Sequence, residues 1–215
     1  TGFVYAVTTA QQFIQSGMYQ RVLVIGADVL SRWVNWQDRS ICVLFGDGAG
    51  AVVLGRVKPG YGILAAELFS DGEGGDMLCT PAGGTREPIN TQIISDSRHT
   101  IAMDGKAVFK FVTQVIQETT KQVLAKANLT AADLRLFIPH QANARITRYA
   151  EEKLGLRPDQ VASNIHKYGN TSAASIPLAL DEYKDQLKDG DVLLTIGFGA
   201  GLTWGANVIK WGGKL

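Results

Sequence analysis

Two segments of the chain carry side chains suited to holding a negative charge that develops on oxygen. Pro139-His140-Gln141-Ala142-Asn143 closes a short apolar run, and Tyr168-Gly169-Asn170-Thr171-Ser172-Ala173-Ala174-Ser175 stands just ahead of a helical pattern. A neutral imidazole N–H and a carboxamide N–H can each donate to an oxyanion without the full charge that would bind a product too tightly. Each residue also has a plainer reading. A histidine after a strand is usually a hydrogen-bonded structural residue, and an asparagine before a helix is usually a cap or turn residue. His99 and His166, which sit in no such segment, take the plainer reading.

The elements that must position these residues can be read from periodicity. Phe3, Ala6, Val7, Ala10, Phe13 and Ile14 recur at helical spacing, and Gly17 supplies a stop, so a buried helix is expected there. Arg21 to Ala27 is a continuous apolar run of the kind found in a strand covered on both faces. Ile41 to Phe45 and Ala49 to Leu54 repeat the pattern around a Gly-rich turn, which predicts a parallel or mixed sheet. Lys58-Pro59-Gly60-Tyr61-Gly62 is the best boundary signal and divides the chain into residues 1–57 and 58–215. Asp71 to Arg98 reads as a long surface excursion.

Downstream, Val108, Val112, Val115, Ile116, Thr119 and Val123 line one face of a long amphipathic helix between Asp104 and Ala127. A strand follows at Leu134 to Ile138, then a helix from about Ala142 to Leu154 and another from about Ser175 to Leu187, with Pro177 tolerated in its first turn. Strands at Asp191 to Ile196 and Thr203 to Lys210 complete a layered α/β alternation.

Composition narrows the function classes. A formal charge of +1, from 21 basic and 20 acidic residues, gives no bulk attraction to nucleic acid or to an anionic membrane. No run approaches the ~20 apolar residues of a membrane span. Cys42, read as inert core within an apolar strand, and Cys79, in a loop with no helix N-terminus to lower its pKa, are too few for a disulfide framework, which suggests a reducing, cytoplasmic setting. No His/Cys spacing suggests a metal site. Gly46-Asp47-Gly48-Ala49-Gly50-Ala51 precedes apolar strand rather than a helix, so it is not a dinucleotide fingerprint. Phe198-Gly199-Ala200-Gly201 lacks a P-loop ending, and both turns have a plainer reading as tight packing of strand against backbone. The two turns form a weak internal echo, as either a duplicated fold or two Gly-rich turns of independent origin would give.

Taken in order, the Gly46 to Ala51 turn, the His140 segment, the Asn170 segment and Phe198 to Gly205 resemble the motif set of β-ketoacyl-acyl carrier protein synthase III over essentially the whole chain. The resemblance implies a thiolase-like α/β fold, layered helix-sheet-helix-sheet-helix, with the end of the N-terminal half (1–57) and a complete C-terminal half (58–215). It implies a decarboxylative Claisen condensation of a short acyl-CoA, acetyl-CoA in the first instance, with malonyl-acyl carrier protein, initiating fatty acid synthesis. No cofactor is implied, since CoA enters as substrate.

His140 and Asn170 would stabilise the enolate left by decarboxylation, and the backbone N–H of Ala200, where the family commonly has glycine, would serve a second oxyanion. Arg39 would sit near the adenine of CoA, Asn143 beside the pantetheine, and Gly105 and Phe109 along the tunnel. Arg145 and Arg148 share one helix face and Lys106 and Lys110 another, a basic rim suited to an acidic carrier protein, though a solvated face is the alternative for Arg148 and Lys106. A homodimer is implied as well.

Two other readings stay open: a secondary-metabolism relative using another acyl primer, and a noncatalytic carrier-binding scaffold. In the family the nucleophilic cysteine precedes a small residue, Gly and Phe, so Thr1-Gly2-Phe3 resembles its continuation and the nucleophile would lie immediately before Thr1. The expectation is that residues 1–215 alone expose apolar surface and transfer no acetyl group from CoA. Robust condensation by that polypeptide would refute it.

Overall fold

The computed structural model describes residues 1–215. In chain order the elements are α1 (Gly2–Gln15), β1 (Arg21–Val29), β2 (Asp47–Gly55), β3 (Gly62–Ser70), β4 (Leu78–Cys79), α2 (Thr91–Ser95), β5 (Ala102–Met103), α3 (Gly105–Lys126), β6 (Leu136–Pro139), α4 (Ala144–Leu154), α5 (Ile165–Tyr168), α6 (Ser175–Tyr183), β7 (Val192–Gly199) and β8 (Thr203–Lys210). A mixed four-stranded sheet runs β3-β8-β7-β6, with β6 and β7 parallel and the other pairs antiparallel. β1 and β2 form a separate antiparallel ribbon in which Leu23 faces Val53 and Ile25 faces Ala51.

Burial explains the layering. Phe3, Val4, Val7 and Ala10 of α1, with Ile176 and Ala179 of α6, pack between Val24 of the ribbon and Leu136, Ile138 and Leu193 of the larger sheet. On that sheet's other side, Val112, Ile116 and Val123 of α3 and Ile146 and Ala150 of α4 meet Leu194, Ile196, Phe198, Ala206 and Val208. Alternation along β6, β7 and β8 therefore feeds two cores, one on each face. A polar thread crosses the first: Asn207 Nδ2 donates to Thr8 Oγ1 at 2.8 Å, and Thr8 Oγ1 donates to the Val4 carbonyl at 2.9 Å.

Several expectations are corrected. The ribbon is covered on one face only: Leu23 and Ile25 are each 59% exposed and Val53 is 67% exposed, so the strand expected to be covered on both faces is open on one. A run of apolar residues does not say which chain segment will cover it. Ile41–Phe45 forms turns rather than a strand, because Asp38 accepts backbone N–H groups at its carbonyl from Ile41 and Cys42, and Cys42 is half-buried in that turn instead of sitting in core. The glycines after Gly46 lie within β2 and make no turn. α6 stops at Tyr183 and passes into a 3-10 turn, short of Leu187. The excursion from Asp71 to Arg98 holds a 3-10 turn, β4 and α2, capped by Asn90. His166 is exposed, and the buried Nδ1 of His99 has no hydrogen-bond partner, so neither is the satisfied structural histidine expected.

The ribbon's inner backbone touches the loop that carries Asn170. A methyl group on Gly26 would overlap the Ala173 carbonyl, and one on Gly46 would overlap the Tyr168 carbonyl. Gly26→Ala and Gly46→Ala are each expected to lower stability by about 1–3 kcal/mol, read from urea unfolding, as overpacking against fixed backbone does. A neutral result would mean that the loop yields freely.

Candidate active site

His140 follows directly on β6. Its backbone N–H donates to the Ile196 carbonyl of β7 at 2.7 Å, which fixes where the strand ends. The buried Gln141 then pins the turn: its Nε2 donates to the carbonyls of Pro139 (2.8 Å) and Ala162 (3.1 Å), while its Oε1 accepts the Asn164 N–H at 3.1 Å. His140 is 7% exposed, Phe198 presents an edge-to-face ring 5.2 Å away, and Nδ1 meets Ser175 Oγ at 2.6 Å.

Asn170 is held from the opposite side. Its carbonyl accepts the Gly46 N–H at 2.9 Å and its N–H donates to the Leu44 carbonyl at 2.8 Å. The side-chain Oδ1 accepts the Ser172 N–H at 2.9 Å, across a backbone in which Ser172 takes φ of 49°, a left-handed conformation that the carboxamide stabilises. Ala173 N–H donates to the Asp28 carboxylate of β1 at 3.0 Å. With Oδ1 used in this way, Nδ2 is the free donor of Asn170.

These two residues stand where two cavities meet. The inner one, about 340 Å³, is lined by Thr1, Leu30, Cys79, Ile101 and Ala200 among others; the outer, about 710 Å³, by Met103, Gly105, Val108, Phe109, Asn143 and Arg145 among others. Phe45, Leu78, His140, Asn170, Phe198 and Gly199 line both. The N-terminal end of α1 opens into the inner cavity through Thr1 and Gly2.

Burial, with a smaller contribution from the nearby amino group of Thr1, pushes the His140 pKa down to about 3. The ring is therefore a neutral donor or acceptor at physiological pH. It cannot act as a cation there.

The remaining candidates divide. Gly105, Phe109, Asn143 and Arg145 line the outer cavity, although Asn143 also caps α4 by accepting the Arg145 N–H at 2.9 Å. The Arg145 guanidinium lies 5.4 Å from the Phe109 ring centre, a cation–π contact that holds it at the rim. Lys106 lines that rim, while Lys110 and Arg148 are exposed beside it on α3 and α4. Arg39 is exposed on the 35–44 turns, and its neighbour Ser40 is the residue that reaches the cavity. Ala200 lines the inner cavity with negative φ, so alanine at this position carries no left-handed strain. The structure adds Ser175, Asp28 and Phe198 to the site; Ser175 closes the Tyr168–Ser175 segment and Phe198 opens the Phe198–Gly205 segment, so both carry a motif signal, while Asp28 carries none.

Comparison with known proteins decides the family. Residues 1–72 match the family described as 3-Oxoacyl-[acyl-carrier-protein (ACP)] synthase III, and residues 124–211 match its C-terminal domain. The chain belongs to this family. It is 53% identical over 213 residues to the β-ketoacyl-[acyl-carrier-protein] synthase III of Caldanaerobacter subterraneus, covering 98% of this chain and 64% of that relative. The chain thus spans less than two thirds of that relative's length. Among solved structures, the Thermus thermophilus β-ketoacyl-[acyl carrier protein] synthase III superposes with a TM-score of 0.89 at 44% identity, over 99% of this chain and 65% of that one. The priming β-ketosynthase of the R1128 polyketide pathway gives 0.85 at 34% identity, over 100% and 64%. The thiolase-like fold expected from the motifs is the fold of the family.

The depressed His140 pKa has a consequence for stability. An unfolded imidazole titrates near 6.5, so below that pH the unfolded chain binds a proton that the native state refuses. Native stability is expected to fall by about 2 kcal/mol between pH 6.5 and 5 from this group and to keep falling toward pH 3. Urea unfolding of the protein and of His140→Asn at several pH values should separate that component. An imidazole titrating near 6.5 in the folded protein would contradict it.

Proposed function

We propose that the protein condenses a short acyl group, acetyl in the first instance, with malonyl-acyl carrier protein to give a 3-ketoacyl-acyl carrier protein, the first carbon–carbon bond of fatty acid synthesis. The observation that carries this reading is the placement of His140 and Asn170 on the wall shared by the two cavities. The outer cavity admits a thioester arm past Phe109 and Asn143 and delivers its carbonyl to both donors. Loss of carbon dioxide breaks the bond between the malonyl carboxylate and C2 and leaves an enolate, whose oxygen is stabilised by the two N–H groups. The enolate carbon then attacks the acyl carbonyl in the inner cavity. The thiol carrying that acyl group leaves as thiolate, and one proton is taken up overall.

A thiol joined to the N-terminal end of α1 would face the same junction, with the helix dipole favouring its thiolate form. The Ala200 N–H is the proposed donor to the oxyanion formed at the acyl carbonyl. Arg39 is assigned to the adenine end of CoA and Asn143 to the pantetheine, with Gly105 and Phe109 as tunnel wall. Lys110, Arg145 and Arg148 make the rim that meets an acidic carrier protein, chiefly by steering the encounter. The chemistry calls for no cofactor beyond the CoA thioester. The assignment includes a homodimer working in the cytoplasm, and no helix of the chain is long and apolar enough to cross a membrane.

A second reading, a ketosynthase priming another pathway with a different acyl group, is favoured by the likeness to the R1128 enzyme. Primer competition between acetyl-CoA and longer acyl-CoAs separates the two.

His140→Ala and Asn170→Ala should each reduce release of carbon dioxide from malonyl-acyl carrier protein by on the order of a hundredfold or more, with the fold intact by circular dichroism. Undiminished decarboxylation in either variant would remove that residue from the donor pair. Carrier binding without any carbon dioxide release by the unaltered protein would point to the scaffold reading.

A further inference from the structure

Ser175 opens α6 and is only 1% exposed, yet its hydroxyl serves no helix cap. Its Oγ lies 2.6 Å from His140 Nδ1, 2.8 Å from the Ser172 carbonyl and 3.4 Å from the Gln141 N–H. One hydroxyl proton therefore faces two acceptors, and its choice fixes the proton of the ring. If it goes to the Ser172 carbonyl, Nδ1 must carry the imidazole proton and donate to Oγ, leaving Nε2 a bare lone pair. If it goes to Nδ1, the single ring proton resides on Nε2, the nitrogen not engaged by Ser175.

Two observations favour the second arrangement. The Ser172 carbonyl already accepts the backbone N–H of Ser175, so turning the hydroxyl away orphans nothing. At 2.6 Å the contact to Nδ1 is the shorter of the two open to the hydroxyl, the Ser172 carbonyl standing at 2.8 Å, and it is shorter than the usual N–H···O bond of about 2.9–3.0 Å. The geometry points to Ser175 as a positioning residue: its O–H donates to His140 Nδ1 and keeps the ring proton on Nε2, where it can meet a thioester oxygen. This rests on the donor role of His140 proposed above.

The test is the tautomer of His140 in the protein labelled with ¹⁵N-histidine, read from long-range ¹⁵N–¹H correlations at pH 7, together with carbon dioxide release from malonyl-acyl carrier protein. The Nε2–H tautomer is expected in the unaltered protein. In Ser175→Ala, Nδ1–H should become populated and decarboxylation should slow by on the order of tenfold to a hundredfold, with KM little changed. Ser175→Thr, which keeps the hydroxyl, should restore the Nε2–H signal. An Nδ1–H ring in the unaltered protein overturns the proposal without any variant being made, and so does an unchanged tautomer and rate in Ser175→Ala. A tautomer that shifts as expected in a protein that never decarboxylates malonyl thioesters would support the role of Ser175 and defeat the donor reading of His140 instead.

Discussion

The site depends on a close approach of backbone to backbone. The 168–174 loop lies against β1 and the entry to β2 with no side chain between them, at Gly26 and Gly46, and it is held there by the Gly46–Asn170, Asn170–Leu44 and Ala173–Asp28 hydrogen bonds. That seam lets an asparagine 30 positions after His140 face the same junction. Backbone polar groups brought so near each other need partners supplied locally. The Ser172 N–H is satisfied by Asn170 Oδ1 and the Ala173 N–H by the Asp28 carboxylate.

The second constraint is electrical. A buried imidazole edged by Phe198 and approached by no carboxylate cannot hold a proton at neutral pH, so burial that looks costly sets the protonation state. Neutrality by itself leaves both ring nitrogens equivalent candidates for the one proton, and only a neighbour can distinguish them. The Ser175 hydroxyl is that neighbour. Asn170 needs no such help, because the Ser172 N–H on Oδ1 already commits its amide to donating at Nδ2.

Much of this was legible in the residues. α3 was readable because Val112, Val115, Ile116, Thr119 and Val123 keep helical spacing and are all buried, and β7 and β8 because continuous apolar runs are what a sheet with two covered faces demands. Ile41–Phe45 misled for a physical reason. Five apolar or small residues suit a strand, but Asp38 opens consecutive turns with its side chain and carbonyl, and local hydrogen bonding defeats β-propensity. The ribbon misled differently: Leu23, Ile25 and Val53 are apolar on the face that nothing in this chain covers, and periodicity reports that a face is apolar without naming its cover.

The Gly46 to Ala51 segment joins these strands of reasoning. As sequence it could be set aside as a nucleotide site because apolar strand follows it, but its positive role was invisible, since the residues it serves lie more than a hundred positions away. Its glycines are required by what approaches them across the fold, and the loop that approaches carries one of the two proposed donors. A phosphate-binding loop spends its glycines to expose N–H groups to a ligand. Here the N–H of Gly46 is given to the carbonyl of Asn170, so the same residue type holds a side chain in place rather than a substrate. Motif and function are thus linked through packing, which is why the short contact at His140 and the glycine seam at Asn170 act as two halves of one device: each orients a neutral donor that the other could not replace.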